Sequence, residues 1–408
     1  MNLVNAAGHR QLEVPRSSAG IILLVGSMSA LGAIAGDIYL PTLPQIALDF
    51  HTSDGGAQQT IAFTMLGGAV GQLTVGPISD YFGRRIPVLV GLILHVLASI
   101  GIIFCPSIAL LLGLRFIQGI GNASAGVVSL AVVRDLYSGA KAARLLSQLM
   151  LVVGVGPLFA PTLGTFIAQA GGWRSTFAFL GLVGALLWIF VFLKLPDTRP
   201  EEGRQGTGVL SAFKGYGKLF TDLRFLAFAL IPGLAGSAMM AWVSNSPFLL
   251  METYGLGEFQ FPVVFALGGM CMVAGAQVNA HLVQKHKPRI LLQIALTTTW
   301  VLSVILTIVS ALNVGGLAGM LVPLFAILFA NGMGPANASA LAMSRHGEVA
   351  GAAAALVGTT QVGIQALVIL VMSSVTSGQL GMAMTILVTM STAFALFFAG
   401  TLLARRSR

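Results

Sequence analysis

The sequence predicts an all-α membrane protein of twelve transmembrane helices arranged as two six-helix pseudo-repeats. Three observations carry that expectation: a composition nearly free of charge, twelve apolar runs of spanning length, and basic residues gathered at alternate ends of those runs. Of 408 residues, 56% are hydrophobic and 9% charged, with a mean hydropathy of +0.89. A soluble protein carries about 25% charged residues, so most of this surface faces lipid. The runs approach the roughly 20 residues that a spanning helix needs, about twice the length of a barrel strand. Fifty glycines suit the same class, because small residues let lipid-embedded backbones approach.

Taken in order, the runs cover about 19–44, 57–77, 86–105, 108–131, 144–169, 173–195, 223–249, 259–282, 289–311, 316–341, 350–375 and 380–403. Residues 1–18 contain no short apolar core followed by a small-residue cleavage site, so they predict a cytoplasmic tail with the first span retained. Residues 19–195 then form one six-helix bundle and 223–404 a second. The stretch 196–222, with Pro196, Pro200, five glycines and mixed charge, is the cytoplasmic linker between them; 405–408 are a short cytoplasmic tail. With the N-terminus in the cytoplasm, all of the 22 basic residues except Arg115 and Arg174 fall at cytoplasmic ends. That asymmetry sets both the even number of spans and the orientation. It also removes the nucleic-acid reading of the +9 net charge, since the cations sit singly or in pairs at span ends.

The fourth run reads Gly119-Ile120-Gly121-Asn122-Ala123-Ser124 and ends at Arg134; the tenth reads Gly332-Met333-Gly334-Pro335-Ala336-Asn337 and ends at Arg345. Aligned on those arginines, the two runs place Ala326 opposite Arg115. Two such repeats around a midplane site are a transporter architecture.

Asp37 is the one carboxylate well inside an apolar run. It costs roughly 2.5–3.5 kcal/mol on insertion scales, which marks it as functional by default. Pro41 and Pro44 follow it and should interrupt the helix just beyond the acid. In the fourth run Arg115, Gln118 and Asn122 share one helical face. A buried arginine there either faces a cavity or is held by backbone carbonyls. Counted from the outer ends of their runs, Asp37 and Arg115 both lie roughly 12 Å deep, so they can approach one another. Their pairing would keep Asp37 ionised, and a site alternating between paired and protonated states could exchange a proton for a cationic or polar substrate. Whether Asp37 takes protons, substrate, or both in turn stays open at this level.

Three stretches resemble one family. Gly76-Pro77-Ile78-Ser79-Asp80-Tyr81-Phe82-Gly83-Arg84-Arg85 is similar to the loop between spans two and three of the major facilitator superfamily, with Tyr81 in place of the usual arginine. Arg115-Phe116-Ile117-Gln118-Gly119-Ile120-Gly121 resembles the superfamily's fourth-span motif, whose arginine is associated with proton coupling. Gly154-Val155-Gly156-Pro157-Leu158-Phe159-Ala160-Pro161-Thr162-Leu163-Gly164 resembles the fifth-span motif of drug:proton antiporters, although Leu146 and Met150 stand where small residues are expected. Asp37 to Pro41, the loop Arg134-Asp135-Leu136-Tyr137 and Ser246-Pro247-Phe248 look closest to the bicyclomycin/chloramphenicol-resistance branch. The resemblance implies the major facilitator fold and antiport. Asp37 and Arg115 would couple protons, while Gly76, Asp80, Gly83, Arg84 and Arg85 would form a conformational latch. Gly154, Gly156, Pro157, Pro161 and Gly164 would shape a bending helix.

Further polar residues in the spans are substrate-cavity candidates: Tyr39, Gln118, Asn122, Trp242, Asn245, Gln361 and Gln365. Each could equally make a helix–helix hydrogen bond. His95 reads as a satisfied structural residue, and Cys105 and Cys271 as free buried thiols. No phosphate loop, metal-ligand cluster or nucleophile–base arrangement occurs, so no cofactor or enzymatic activity is expected and the proton gradient is the energy source. The expected function is proton-coupled export of small amphiphilic molecules or drugs by a monomer in the bacterial inner membrane. The alternatives are a carrier dedicated to one metabolite or siderophore, and then a channel or membrane receptor.

Overall fold

The computed structural model describes residues 18–198, 217, 219–345, 350–375 and 378–406. The N-terminal tail, most of the 196–222 linker and the end of the C-terminal tail therefore lie outside the described residues. The helices are α1 (Ser18–Asp37), the short α2 (Leu43–Asp49), α3 (Asp54–Phe82), α4 (Arg85–Ile103), α5 (Ile108–Leu136) and α6 (Gly139–Lys194) in the first half. The second half has α7 (Leu223–Pro247), α8 (Gln260–Leu282), α9 (Pro288–Leu312), α10 (Gly316–Asn331), α11 (Gly334–Met343), α12 (Ala350–Val375) and α13 (Gly378–Arg406). Eleven of the described segments are long and apolar enough to cross a membrane.

The twelfth span is hidden inside α6. Its 56 residues leave helical geometry at Gly171 and at Gly172, where φ is 70°. The Ser175 hydroxyl donates to the Ile167 carbonyl at 2.8 Å. Eight residues of straight helix would separate those positions by about 12 Å, so the chain turns sharply here and α6 contains the fifth and sixth spans. Only glycine takes a positive φ without strain, which is why the corner falls on this pair. The first span ends as its sequence demands. α1 stops at Asp37, and Pro41 and Pro44 occupy the opening turns of a 3₁₀ segment (Leu40–Thr42) and of α2, where a missing N–H costs nothing.

The medium around these helices is apolar. Leu23, Phe104, Val322 and Val375 are each 70% or more exposed, and the ion pairs among the described residues are confined to the ends. One end carries Arg84 with Asp80 and Asp135; the opposite end carries Arg174 with Asp49 at 2.9 Å.

Glycine crossings reveal the internal repeat. A Cβ on Gly67 of α3 would lie 1.9 Å from the Phe116 carbonyl oxygen, and one on Gly119 of α5 would lie 2.1 Å from the Thr64 oxygen. In the second half, a Cβ on Gly275 of α8 would lie 1.9 Å from the Phe329 oxygen, and one on Gly332 would lie 2.2 Å from that of Met272. The two reciprocal crossings are equivalent, so Gly119 corresponds to Gly332 and Arg115 to Leu328. This corrects the sequence alignment that placed Ala326 opposite Arg115. The reason is the break between α10 and α11 around Gly332, which displaces the second-half register by two residues.

The halves meet unevenly. At the Asp49 end one apolar core runs through both halves, from Tyr39, Ile61 and Phe177 to Trp242, Phe265 and Ile369. Towards Arg84 the core divides, one cluster around Met28, Val128 and Val191 in the first half and another around Phe228, Ala342 and Phe397 in the second, with Leu73 of α3 packed against the latter. The apolar core is thus shared between the halves at one end, the closed end, and divided between them at the other, the parted end.

Gly67→Val and Gly275→Val should each destabilise the protein by about 1–3 kcal/mol or more, because the backbones must separate. Gly76→Ala, whose added Cβ meets nothing within 4 Å, should leave thermal unfolding of the purified protein unchanged.

Candidate functional site

α1 delivers Asp37 to the bundle interior on its final residue. The carboxylate is half-buried and has no hydrogen-bond partner among the described residues. Arg115 of α5 comes within electrostatic reach. It makes no direct ion pair with Asp37, so the approach inferred from depth is present but the contact pair is not. Instead one guanidinium nitrogen donates to the Ala35 carbonyl at 3.4 Å, two residues before the acid, and to the Gln118 side-chain oxygen.

The flat guanidinium lies over the Tyr39 ring, 4.2 Å from its centroid, and 5.4 Å from that of Phe177. Burial of a cation in this medium is tolerable because two π faces and two acceptors replace its water. Its Nε has no hydrogen-bond partner among the described residues. The Tyr39 hydroxyl is in turn bonded to Thr60 at 3.0 Å, which fixes the ring.

Behind Arg115 runs a buried chain of polar groups. Gln118 donates to Ser99 at 2.8 Å, Ser99 donates to the His95 carbonyl, and His95 meets Asn122 at 2.7 Å and the Leu180 carbonyl at 3.1 Å. Both ring nitrogens of His95 are engaged, as expected for a structural histidine. Ser99, Thr60 and Phe177 were not foreseen as members. Their only sequence signal was a small polar or aromatic residue within an apolar run, which many unrelated positions share.

The second-half candidates serve packing in this conformation. Asn245 accepts from Gln58 of α3 at 3.3 Å and so bridges the halves at the closed end. Trp242 is fully buried between Phe265 and Phe325 with its indole N–H unpartnered. Gln365 fills the space beside Gly236, where a Cβ would lie 1.9 Å from its amide nitrogen, and Gln361 is half-buried on α12. None of these is brought beside Asp37 by a direct contact. Gln169 and Glu258, and Phe166 and Phe259, complete the bridge between halves.

The fifth-span motif packs against α1. A Cβ on Gly164 would lie 1.6 Å from the Ile38 carbonyl oxygen and one on Gly156 would lie 3.3 Å from Ala33, on either side of Asp37. Pro161 is buried, and its carbonyl accepts from Thr165 at 3.1 Å. α6 departs from helical geometry at Gly171–Gly172 rather than at the motif. The surroundings of Gly154 and Pro157 lie outside the described residues.

At the parted end Arg84 is the hub. Its guanidinium bonds Asp80 at 2.7 Å, Asp135 at 2.8 Å and Ser79 at 2.8 Å, and its backbone N–H donates to Asp197 at 3.0 Å. Burial works against its charge. The hydrogen bonds and charges of Asp135 and Asp80 more than offset that, raising its pKa above the ordinary arginine value. Gly83 is required twice over: φ is 87°, and a Cβ would lie 2.0 Å from the Asp197 carboxylate. Gly76 meets no such demand. Arg85 turns away to the Phe192 carbonyl and ring. Asp135, Asp197 and Thr198, which donates to Asp135 at 2.9 Å, were missed as partners because they lie 51 or more residues from Arg84.

Comparison with known proteins places this geometry. The family model described as Major Facilitator Superfamily matches residues 25–369. The chain is 32% identical over 341 residues to an uncharacterized MFS-type transporter, YdgK, of Bacillus subtilis (strain 168), covering 83% of this chain and 84% of that protein. It is 28% identical to a bicyclomycin resistance protein homolog of Haemophilus influenzae, covering 86% and 88%, and 28% identical to multidrug resistance protein D of Escherichia coli (strain K12), covering 91% and 93%. The fold is similar to a partially occluded inward open conformation of the xylose transporter XylE from E. coli. The TM-score is 0.70 at 15% identity, over 93% of this chain and 96% of that one.

Two expectations follow from the geometry. Asp135→Asn and Asp80→Asn should each destabilise by about 1–3 kcal/mol, and together by less than their sum because both act on one guanidinium, as measured by thermal unfolding. Arg115→Lys should lose about 1–2 kcal/mol of ring stacking, and that loss should vanish in a Tyr39→Leu, Phe177→Leu background.

Proposed function

Because the chain belongs to the Major Facilitator Superfamily, and is therefore a membrane transporter and not an enzyme, we propose that it exports small amphiphilic molecules in exchange for protons by alternating access. The observation that carries this reading is Asp37, a carboxylate within the spans that has no hydrogen-bond partner among the described residues and lies near an arginine that, among the same residues, contacts no carboxylate. Such an acid can take a proton in one conformation and release it in another as the Arg115 charge and the local solvation change.

The uneven meeting of the two halves supports the alternating-access part. A bundle sealed at the Asp49 end and parted at the Arg84 end is one of the two states such a cycle needs. Basic residues cluster at the parted end, so this end faces the cytoplasm and both termini lie there. The Arg84 hub ties the loop after α3 to the end of α5 and the start of the linker, as a latch within the first half would. The names of the bicyclomycin and multidrug resistance relatives support drugs as substrates, and their bacterial sources together with the spans of this chain support a bacterial inner membrane as the location. We assign a monomer, with the proton gradient as energy source and no cofactor.

The test is transport into inverted membrane vesicles under an imposed proton gradient, with a panel of unrelated drugs and metabolites. Wild-type protein should accumulate several drugs and stop when the gradient is collapsed, whereas Asp37→Asn should fall to background. Full gradient-driven transport by Asp37→Asn would end the assignment of proton carriage to this residue.

A further inference from the structure

The geometry points to a binding site for an uncharged amphiphile in a cavity of about 310 Å³ between α1, the last turn of α5 and the first turns of α6. The inference rests on the export reading above and specifies the substrate class that the first half can hold. The volume falls at the lower end of the range for small-molecule sites. Its wall is apolar except for Ser27, Tyr137 and Gln148, and no charged residue lines it. The charge nearest the wall is the Lys141 ammonium over the Tyr137 ring, 4.6 Å from its centroid, so a cationic ligand would find no counter-charge there, whereas an uncharged one needs none.

All three polar side chains are available to a ligand: the Tyr137 hydroxyl is buried without a hydrogen-bond partner among the described residues. Ser27 and Gln148 are exposed and have no hydrogen-bond partner among the described residues. A hydroxyl and an amide both donate and accept, so together they suit a single neutral polar group such as a carbonyl or hydroxyl. The apolar body of the ligand would lie against Leu145 and Leu149. Gly26 supplies room, since a Cβ added there meets nothing within 4 Å.

The site is aligned with the proton-carrying acid. Leu23, Gly26, Ala30 and Asp37 fall within about 60° of arc on α1, and Asp37 stands two turns, about 10 Å, beyond Ala30. Its apolar wall belongs to the core cluster that the first half keeps towards Arg84. It is separate from Tyr39, Trp242 and Asn245, which are packed at the closed end.

Benzophenone, an uncharged apolar photolabel with one carbonyl acceptor, tests the site on the purified full chain. Saturable labelling is expected within residues 21–30 and 145–149, located by mass spectrometry. Gly26→Phe, which fills the space, should reduce that labelling to background. Ser27→Ala combined with Gln148→Leu keeps the volume and should reduce it about fivefold, the worth of one hydrogen bond. Labelling unchanged by Gly26→Phe overturns the site. Labelling equal or stronger in the Ser27→Ala, Gln148→Leu protein also overturns it, since the cavity would then read only apolar surface, as for a lipid acyl chain. The same variants in inverted vesicles separate the two readings. Specific labelling without gradient-driven transport by the wild type leaves the site standing and defeats export. Transport that persists in Gly26→Phe with labelling unchanged defeats the site alone.

Discussion

A guanidinium buried among apolar helices is the constraint around which the first half is arranged. Arg115 cannot shed its charge, and outside water it needs replacements for hydration. The structure supplies two rings, a backbone carbonyl and a glutamine oxygen, drawn from α1, α5 and α6. Each replacement needs support of its own: Thr60 holds Tyr39, and Ser99, His95 and Asn122 extend the chain behind Gln118. A single charge thus ties five helices of the first half into one polar core, while the equivalent second-half position, Leu328, imposes nothing of the kind.

This arrangement explains why Asp37 is not simply neutralised. Had Arg115 reached its carboxylate, the pair would have formed a static bridge. The rings and Gln118 hold the guanidinium to one side instead, near enough to act through space. The break of α1 at Asp37 contributes as well, because the chain turns into the 3₁₀ segment there and the acid ends its helix. Gly164 and Gly156 bring α6 against this same region, so the motif read as a bend is also a packing surface for the acid's helix.

Much of the fold was legible from local features. The prolines after Asp37 ended the helix where their missing N–H groups required. Asp80, Gly83 and Arg84 met as an i,i+4 pair beside a left-handed glycine, both short-range consequences of the chain. Asp135, Asp197 and Thr198 were not legible as their partners, because nothing at those positions encodes which distant helix end they meet. The same holds for Asn245 with Gln58, 187 residues apart. The repeat was visible in outline but misaligned by two residues, since Gly332, Gly334 and Pro335 mark a break without saying how far it displaces the register.

The sequence by itself determined the solvent, the number of spans and the one costly carboxylate. Those follow from hydropathy, length and the price of charge in lipid, all properties of local stretches. Only the tertiary structure decided what Arg115 touches, which end of the bundle is closed, and where a cavity remains. Those depend on side chains far apart in sequence meeting at helix crossings, and the crossings are set by glycines whose partners are backbone atoms of another helix.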